Sequence, residues 1–451
     1  MKTTISNKIH IEDPTQSIIT YCKNELTLSN PQYNKLLRMG KWTGGTPQKI
    51  CLYEKNGNAL ILPFGTLQDI WQIIFPNVEA VFAPKNEVDF AGYISLYDYQ
   101  LEAVEKAYRN KNGVVVGQCG CGKTQIGIGL IQKLGQKALW LTHTKELLNQ
   151  SKDRYIAYFG KNGIGEITEG KVDIGTKITF ATVQTMSKLL LEEYADCWNV
   201  VVVDECHRLA GSPTSVTMFY KVLSSLKARY KYGLTATSHR SDGLIKSMYA
   251  ILGKVIHEIP KTAVSDKTMK ATIKPVNVTF ELPKSCFDTD GTVKFATALN
   301  EIAFYSDYID QIVGDLKANS DNYCLILSDR LDQLRELKTR LNSNKAVMID
   351  GTMTSKTGKI QRKQAIELMQ QGKMNYLFAS YNLAKEGLDI PRLNRLFLAT
   401  PKKDKAVVIQ SVGRVSRTFE GKTEAIVYDY VHSNWLCQSM YKHRQTIYKN
   451  M

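Results

Sequence analysis

Apolar positions in this chain cluster into two long stretches of one kind, preceded by a shorter stretch of another. Between 89 and 250, short apolar runs recur at 113–117, 138–142, 178–182, 200–204 and 231–235, with apolar residues at helical spacing between them. Runs that are apolar throughout mark strands buried on both faces, and strands alternating with helices mark a parallel α/β sheet. The same pattern returns over 286–432, at 323–328, 346–350, 376–380, 395–399 and 424–428. Between the two, over 251–285, "GKVIHEIP" and "KATIKPVNVTFEL" read as strands with polar, basic connections, the expected interdomain connection. Residues 1–88 differ. They offer a short helix in "LTLSNPQYNKLLRMG" and two strands joined near Asn56-Gly57, a turn signal. The expected fold class is α/β, two parallel-sheet domains in tandem behind a small N-terminal α+β domain. A basic, aromatic tail over 433–451 reads as a short docking helix.

Composition narrows the class. A hydrophobic fraction of 43% over 451 residues supplies a substantial core and argues against global disorder. The excess of 59 Lys and Arg over 43 Asp and Glu, a net +16, fits either a solvated basic surface or a polyanionic partner such as nucleic acid. Nine scattered cysteines, never in paired CxxC clusters, argue against a disulfide framework and a structural zinc site. No apolar run is long enough to span a membrane, and "MKTTISNKIHIEDP" has no apolar signal core. The expectation is a soluble protein of a reducing, cytoplasmic compartment.

The chemistry starts at "GVVVGQCGCGKT", 113–124. A β-branched strand runs into Gly117, four residues, then Gly122, Lys123 and Thr124, and a helix pattern follows. This is the strand–loop–helix setting of a Walker A motif. Gly117, Gly120 and Gly122 let backbone N–H groups turn toward phosphate oxygens, and the helix N-terminus adds partial positive charge. Lys123 is expected at the β- and γ-phosphates of ATP and Thr124 on Mg²⁺. A metal reading for Cys119 and Cys121 needs further soft ligands nearby, and none follow. A second strand, "WNVVVVDECHRL", 198–209, ends in acids: Asp204 is the expected Mg²⁺ partner and Glu205 the group that polarises the attacking water.

With those two motifs in place, residues 90–432 resemble a superfamily 2 helicase or translocase. "LYDYQLEAV" (96–104) resembles the adenine-reading element, with Gln100 as its glutamine. "LWLTHTKELLNQ" (139–150) resembles motif Ia, "ITFATVQTM" (178–186) motif Ic and "GLTAT" (233–237) motif III. "CLILSDRLDQL" (324–334) resembles motif IV, "LFASYNLAKEGLDIP" (377–391) motif V and "QSVGRVSR" (410–417) motif VI. None is specific alone; their order and spacing carry the resemblance. "TSHRSDGL", with Arg240 and Asp242, resembles the XPB-like continuation of motif III. DECH in place of DEAD points away from the DEAD-box group.

The resemblance implies two RecA-like domains acting as a monomeric motor: 89–250 binding ATP, and 286–432 supplying Arg414 and Arg417 to the γ-phosphate. Gln410 of motif VI joins the nucleotide site; Asp389 faces the ribose, and Gly387 lets its loop approach. Thr142, Thr144, Thr182, Ser328 and Ser380, at strand ends, are the expected contacts to nucleic-acid phosphates. Residues 1–88, with the basic stretch "NKLLRMGKWTGGTPQK", resemble the N-terminal segment of phage recombination helicases and XPB-like enzymes, which implies an accessory module binding duplex DNA. The expected activity is an ATP-driven DNA helicase or translocase on duplex or branched DNA, in branch migration or fork remodelling. An RNA helicase and a non-enzymatic nucleic-acid scaffold are the alternatives.

Overall fold

The structure is a computed structural model. It describes all residues except 119, 214, 238–243, 261, 264–268, 354, 386–387 and 450, and the side chains of 356, 384 and 385. Of the residues singled out from sequence, Cys119, Arg240, Asp242 and Gly387 therefore lie outside the described residues. The chain divides into two compact units, Met1–Ala263 and Val264–Met451. No described helix is long and apolar enough to cross a membrane.

The first unit opens with a five-stranded sheet, in spatial order Glu54–Asn56, Ala59–Pro63, Lys8–Glu12, Lys2–Ile5, Val78–Ala80. Its strands are half-buried. In Lys8–Glu12 the side chains of Ile9 and Ile11 point into the core while His10 and Glu12 face water, the period-2 pattern of a one-sided sheet. Helices Gln16–Glu25 and Leu67–Ile74 cover the apolar face with Ile18, Cys22, Ile70 and Ile74. The hairpin expected near Asn56-Gly57 is present: Asn56 pairs with Ala59, and Gly57 takes a φ of +56°.

An eight-stranded sheet follows, in the order Lys171–Asp173, Ile164–Thr168, Ile178–Thr182, Ala138–Thr142, Val200–Asp204, Tyr230–Thr235, Asn112–Val116, Val255–Glu258. All pairs are parallel except the first. Four of the inner strands are buried at every position, as expected with helices on both faces. Register matters for function. Asp204 lies beside Leu234, and Thr235 beside Val116, so three neighbouring strands end together. Ligands of open α/β sheets bind at such carboxyl ends.

The small sheet is packed directly onto this domain. Asn7 Nδ2 donates to Ser224 O at 2.5 Å, and Ala250 of helix Ile245–Leu252 enters the small sheet's core. A Cβ on Gly65 would strike the backbone of residues 249–253, so only glycine permits this approach. Lys231 is fully buried at the seam. Its Nζ donates to Leu223 O at 2.9 Å and lies 4.7 Å from the Phe64 ring centre. Burial pushes its pKa down from 10.5 to about 7. Below that pH both folded and unfolded chains carry the charge, so the cost of burying it is fully present. From about 7 up to 10.5 the unfolded chain binds more protons, so stability rises with pH. Lys231→Met is therefore expected to stabilise this unit near pH 6, by roughly 2–5 kcal/mol, with the gain shrinking as pH rises. Urea unfolding across that range checks it; a gain independent of pH would rule out charge burial as its source.

The second unit is a six-stranded, all-parallel sheet in the order Thr272–Val278, Ile426–His432, Arg395–Leu398, Cys324–Ser328, Tyr376–Ser380, Ala346–Ile349. The stretch 251–285, read as a connection, supplies an edge strand to each large sheet: Val255–Glu258 to the first and Thr272–Val278 to the second. The tail forms helix Trp435–Lys449, and its Arg444 is buried rather than offered to a partner. Arg444 pairs with Asp429 through two bonds, Nε–Oδ2 at 2.8 Å and Nη2–Oδ1 at 2.7 Å, and Tyr448 OH donates to the same carboxylate. Such a bidentate pair is what a buried arginine requires.

Candidate nucleotide and nucleic-acid site

Strand Asn112–Val116 delivers the chain into a tight loop, and helix Lys123–Leu134 leaves it. Gly120 and Gly122 have φ of +90° and +79°, backbone that other residues adopt only under strain. A Cβ on Gly122 would run into the amide of Gln100, and one on Gly117 into Cys121 Sγ and Ile259. The glycines thus let the loop pack closer to Gln100, Cys121 and Ile259 than a chain with side chains at 117 and 122 could. Cys121 is fully buried against that backbone. Lys123 Nζ donates to Gly117 O at 3.2 Å, arched over the loop, and Thr124 is half-buried in the helix's first turn. Gln100 is buried; its Nε2 donates to Cys121 O at 3.0 Å and its Oε1 accepts from Tyr97 N at 3.0 Å. In this conformation Gln100 braces the loop. The stacked rings of Tyr97 and Tyr99 lie outside it, Tyr97 52% exposed.

The acidic strand meets this loop. Asp204 is buried at the end of Val200–Asp204, and its Oδ1 accepts from Glu205 N at 2.9 Å. Its pKa is raised, by burial first and by the neighbouring Glu205 charge second, with Lys123 opposing both. A buried aspartate beside a half-buried glutamate, offset by one lysine, is a donor set that a divalent cation satisfies, so Asp204 and Thr124 fit Mg²⁺. Glu205 has φ +50°, left-handed for a residue with a side chain. Sequence reasoning missed what lies beyond. His207 Nδ1 sits 3.2 Å from Glu205 Oε2 and 3.1 Å from Thr235 Oγ1. Thr235 O in turn accepts from Gly117 N at 2.9 Å. One run of contacts therefore joins the glycine loop, motif III and the acid pair. The DECH histidine was the available signal for it.

Four of the five hydroxyls fall into two registered pairs, Thr142 beside Thr182 and Ser328 beside Ser380, while Thr144 lies past its strand as the N-cap of helix Lys145–Phe159. All serve their own turns. Thr142 Oγ1 donates to Thr144 O at 3.0 Å, Thr182 Oγ1 to Thr185 Oγ1 at 3.1 Å, and Ser328 Oγ to Gln333 Oε1 at 2.6 Å. Thr142 and Ser328 are fully buried, so their hydroxyls shape the turn and do not face solvent. Thr144 Oγ1 and Ser380 Oγ instead accept from Leu147 N and Leu383 N, and each retains an O–H to donate.

In the second unit, helix Lys405–Val415 carries motif VI. Arg414 Nη1 donates to Leu388 O at 3.0 Å, and Arg417 forms an ion pair with Asp389. Motifs V and VI are thus brought together. Gln410 is buried, and its Oε1 has no partner among the described residues. Lys422, which carried no sequence signal, holds this corner. Its Nζ donates to Leu393 O and Val415 O at 2.6 Å, Arg417 O at 2.7 Å and Pro391 O at 3.4 Å. Burial, and Arg417 beside it, push its pKa down to about 8.

Two family models match in the same order as the motifs: "Type III restriction enzyme, res subunit" over residues 93–240, and "Helicase conserved C-terminal domain" over 306–419. The chain belongs to helicase superfamily 2. Relatives of this helicase are distant but long. "Putative ATP-dependent RNA helicase L396" of Acanthamoeba polyphaga mimivirus is 26% identical over 95% of this chain and 80% of its own length. "DNA 3'-5' helicase XPB" of Kineococcus radiotolerans is 24% identical over 79% of this chain and 66% of its own. "ATP-dependent DNA helicase uvsW" of Enterobacteria phage T4 is 21% identical over 89% of this chain and 84% of its own. The structure of S. cerevisiae Dbp5 bound to RNA and ADP BeF3 shares the fold, with a TM-score of 0.57 at 15% identity over 86% of this chain and 92% of that one. The helicase accordingly has two RecA-like sheets in tandem behind its small α+β sheet, and its activity is ATP-dependent and directed at nucleic acid.

Proposed function

We propose that this helicase is a monomeric DNA translocase that remodels duplex or branched DNA in recombination, repair or replication. The observation that carries the reading is the N-terminal segment. Its five-stranded sheet is packed onto the nucleotide domain, and the arm it projects carries four cations, Lys35, Arg38, Lys41 and Lys49, with no acid between Glu25 and Glu54. A second basic surface on the same unit as the nucleotide site suits a substrate with a duplex part as well as the tracked strand. The DNA-directed names of the XPB and uvsW relatives agree with it. The name of the mimivirus relative favours RNA, which remains the second reading.

In this reading the glycine cradle and Lys123 hold the phosphates of ATP, Glu205 polarises water, and Arg414 and Arg417 stabilise charge on the transferred phosphoryl group. Thr124 and Asp204 would hold Mg²⁺, which would supply positive charge to offset that of the phosphates. Gln410 and Asp389 face the nucleotide. The turns shaped by Thr142, Thr182 and Ser328 hold one strand's phosphates, with Thr144 and Ser380 donating their remaining O–H. ATPase stimulation by a four-way junction, a linear duplex, single-stranded DNA and RNA, measured side by side, tests the proposal. Junction and duplex DNA are expected to stimulate at least tenfold more than RNA at equal nucleotide concentration. Stimulation by RNA alone would hand the assignment to the second reading.

A further inference from the structure

We propose that residues 30–49 form a base-stacking wedge, in which Trp42 packs on the last exposed base at a duplex end or branch while the flanking cations hold its phosphates. The inference rests on DNA being the substrate. The arm is a built projection. Its stem is an antiparallel pair, Thr27–Ser29 with Lys49–Cys51, in which Ser29 faces Lys49. Asn30 clamps the two ends above the stem: its side chain accepts from Gln32 N at 3.0 Å and donates to Pro47 O at 2.7 Å, and its own N–H bonds Gln48 O. Helix Pro31–Arg38 rises from the clamp and buries none of its residues.

What the arm presents is unusual for surface structure. Trp42 is 82% exposed, and Leu37 and Met39 beside it are 61% and 52% exposed. Leaving so large an aromatic in water forgoes the stabilisation its burial normally provides. The indole is nonetheless supported. Gly44 and Gly45 run beneath one ring face; a Cβ on Gly44 would penetrate the ring, and one on Gly45 would lie 3.5 Å from Cζ3. A ring backed on one face and open on the other is a stacking platform. The surrounding charge selects the occupant. Lys35, Arg38, Lys41 and Lys49 are all exposed and none is in an ion pair among the described residues, a pattern that favours a polyanion over an apolar protein face. Inside a paired duplex every base face is already covered by its neighbours. Only an end or a branch offers an uncovered face, so the geometry reads discontinuities and not sequence.

The test uses the full-length chain, without nucleotide, against three DNA probes: a forked duplex with 2-aminopurine at the first unpaired position, a covalently closed circular duplex, and a single strand. Wild type is expected to alter 2-aminopurine fluorescence on the fork. Trp42→Ala should abolish that change and weaken fork binding roughly ten- to hundredfold, while closed-duplex binding and ATPase stimulated by saturating single strand stay unchanged, which also certifies folding. Trp42→Phe should retain most of the fork affinity. Unchanged fork binding by Trp42→Ala, or equal loss on all three probes, would overturn the wedge, as would Trp42-dependent binding to anionic vesicles without any 2-aminopurine response. RNA forks of the same sequence separate the two failures. A Trp42-dependent signal confined to RNA would sink the DNA assignment and leave the stacking role standing.

Discussion

Lys123→Ala is expected to lower ATP turnover at least a hundredfold while leaving affinity for nucleic acid within about threefold. The reasoning is electrostatic. Lys123 is the cation arched over the glycine loop, and its charge is the largest influence opposing the raised pKa of buried Asp204. Removing a preorganised charge from a water-poor site typically costs 10²–10³ in rate. On the side of the fold, the bond from Lys123 Nζ to Gly117 O contributes about 1 kcal/mol. The strand-end turns at Thr142, Thr182, Ser328 and Ser380 do not use Lys123 in any bond described, so the grip on a phosphate backbone survives. Phosphate release under saturating DNA, beside fluorescence anisotropy of a labelled strand, reads both arms. Turnover near wild type would remove the loop from the chemistry.

The contrast between residues that sequence located well and those it located poorly has a physical pattern. Strands buried on both faces announce themselves locally: Val200–Asp204 is read from four successive valines, and its limits agree with 200–204. The strands Lys2–Ile5 and Lys8–Glu12 were passed over because half of each faces water, and short alternating segments rich in Lys, Thr and Glu carry little net hydrophobicity. Partner choice is not local either. "GKVIHEIP" reads as a strand, but nothing in it says that it joins the edge beside Asn112–Val116. The same holds at the site. Gln100, Thr142 and Ser328 are found by residue type and position, yet which way each side chain turns depends on the nearest unsatisfied backbone group, which lies within the residue's own turn for Thr142 and Ser328 and in the glycine loop, at Cys121 O, for Gln100. Lys422 had no local signal at all, as one cation among 59, and only the folded corner brings four carbonyls around it.

Arg417→Ala should reduce kcat roughly a thousandfold, within the range found for arginines that stabilise a transferred phosphoryl group. The structure raises a competing account, because Arg417 is also the ion-pair partner of Asp389 and its loss breaks that pair. Magnitudes decide between them. Both side chains are partly exposed, 24% and 40%, and a pair so placed contributes at most about 1 kcal/mol to stability. Breaking it cannot by itself produce a thousandfold loss. Asp389→Asn breaks the same pair while keeping the guanidinium. If Arg417 acts on phosphate and Asp389 on ribose, Asp389→Asn should mainly raise KM for ATP, with kcat within about tenfold of wild type. Arg417→Ala should instead lose kcat with a smaller change in KM. Steady-state ATPase under saturating DNA, with urea midpoints to verify folding, separates the parameters. Equal kcat losses in the two variants would mean that the pair's positioning of the motif V loop, and not charge at the phosphate, is what Arg417 contributes.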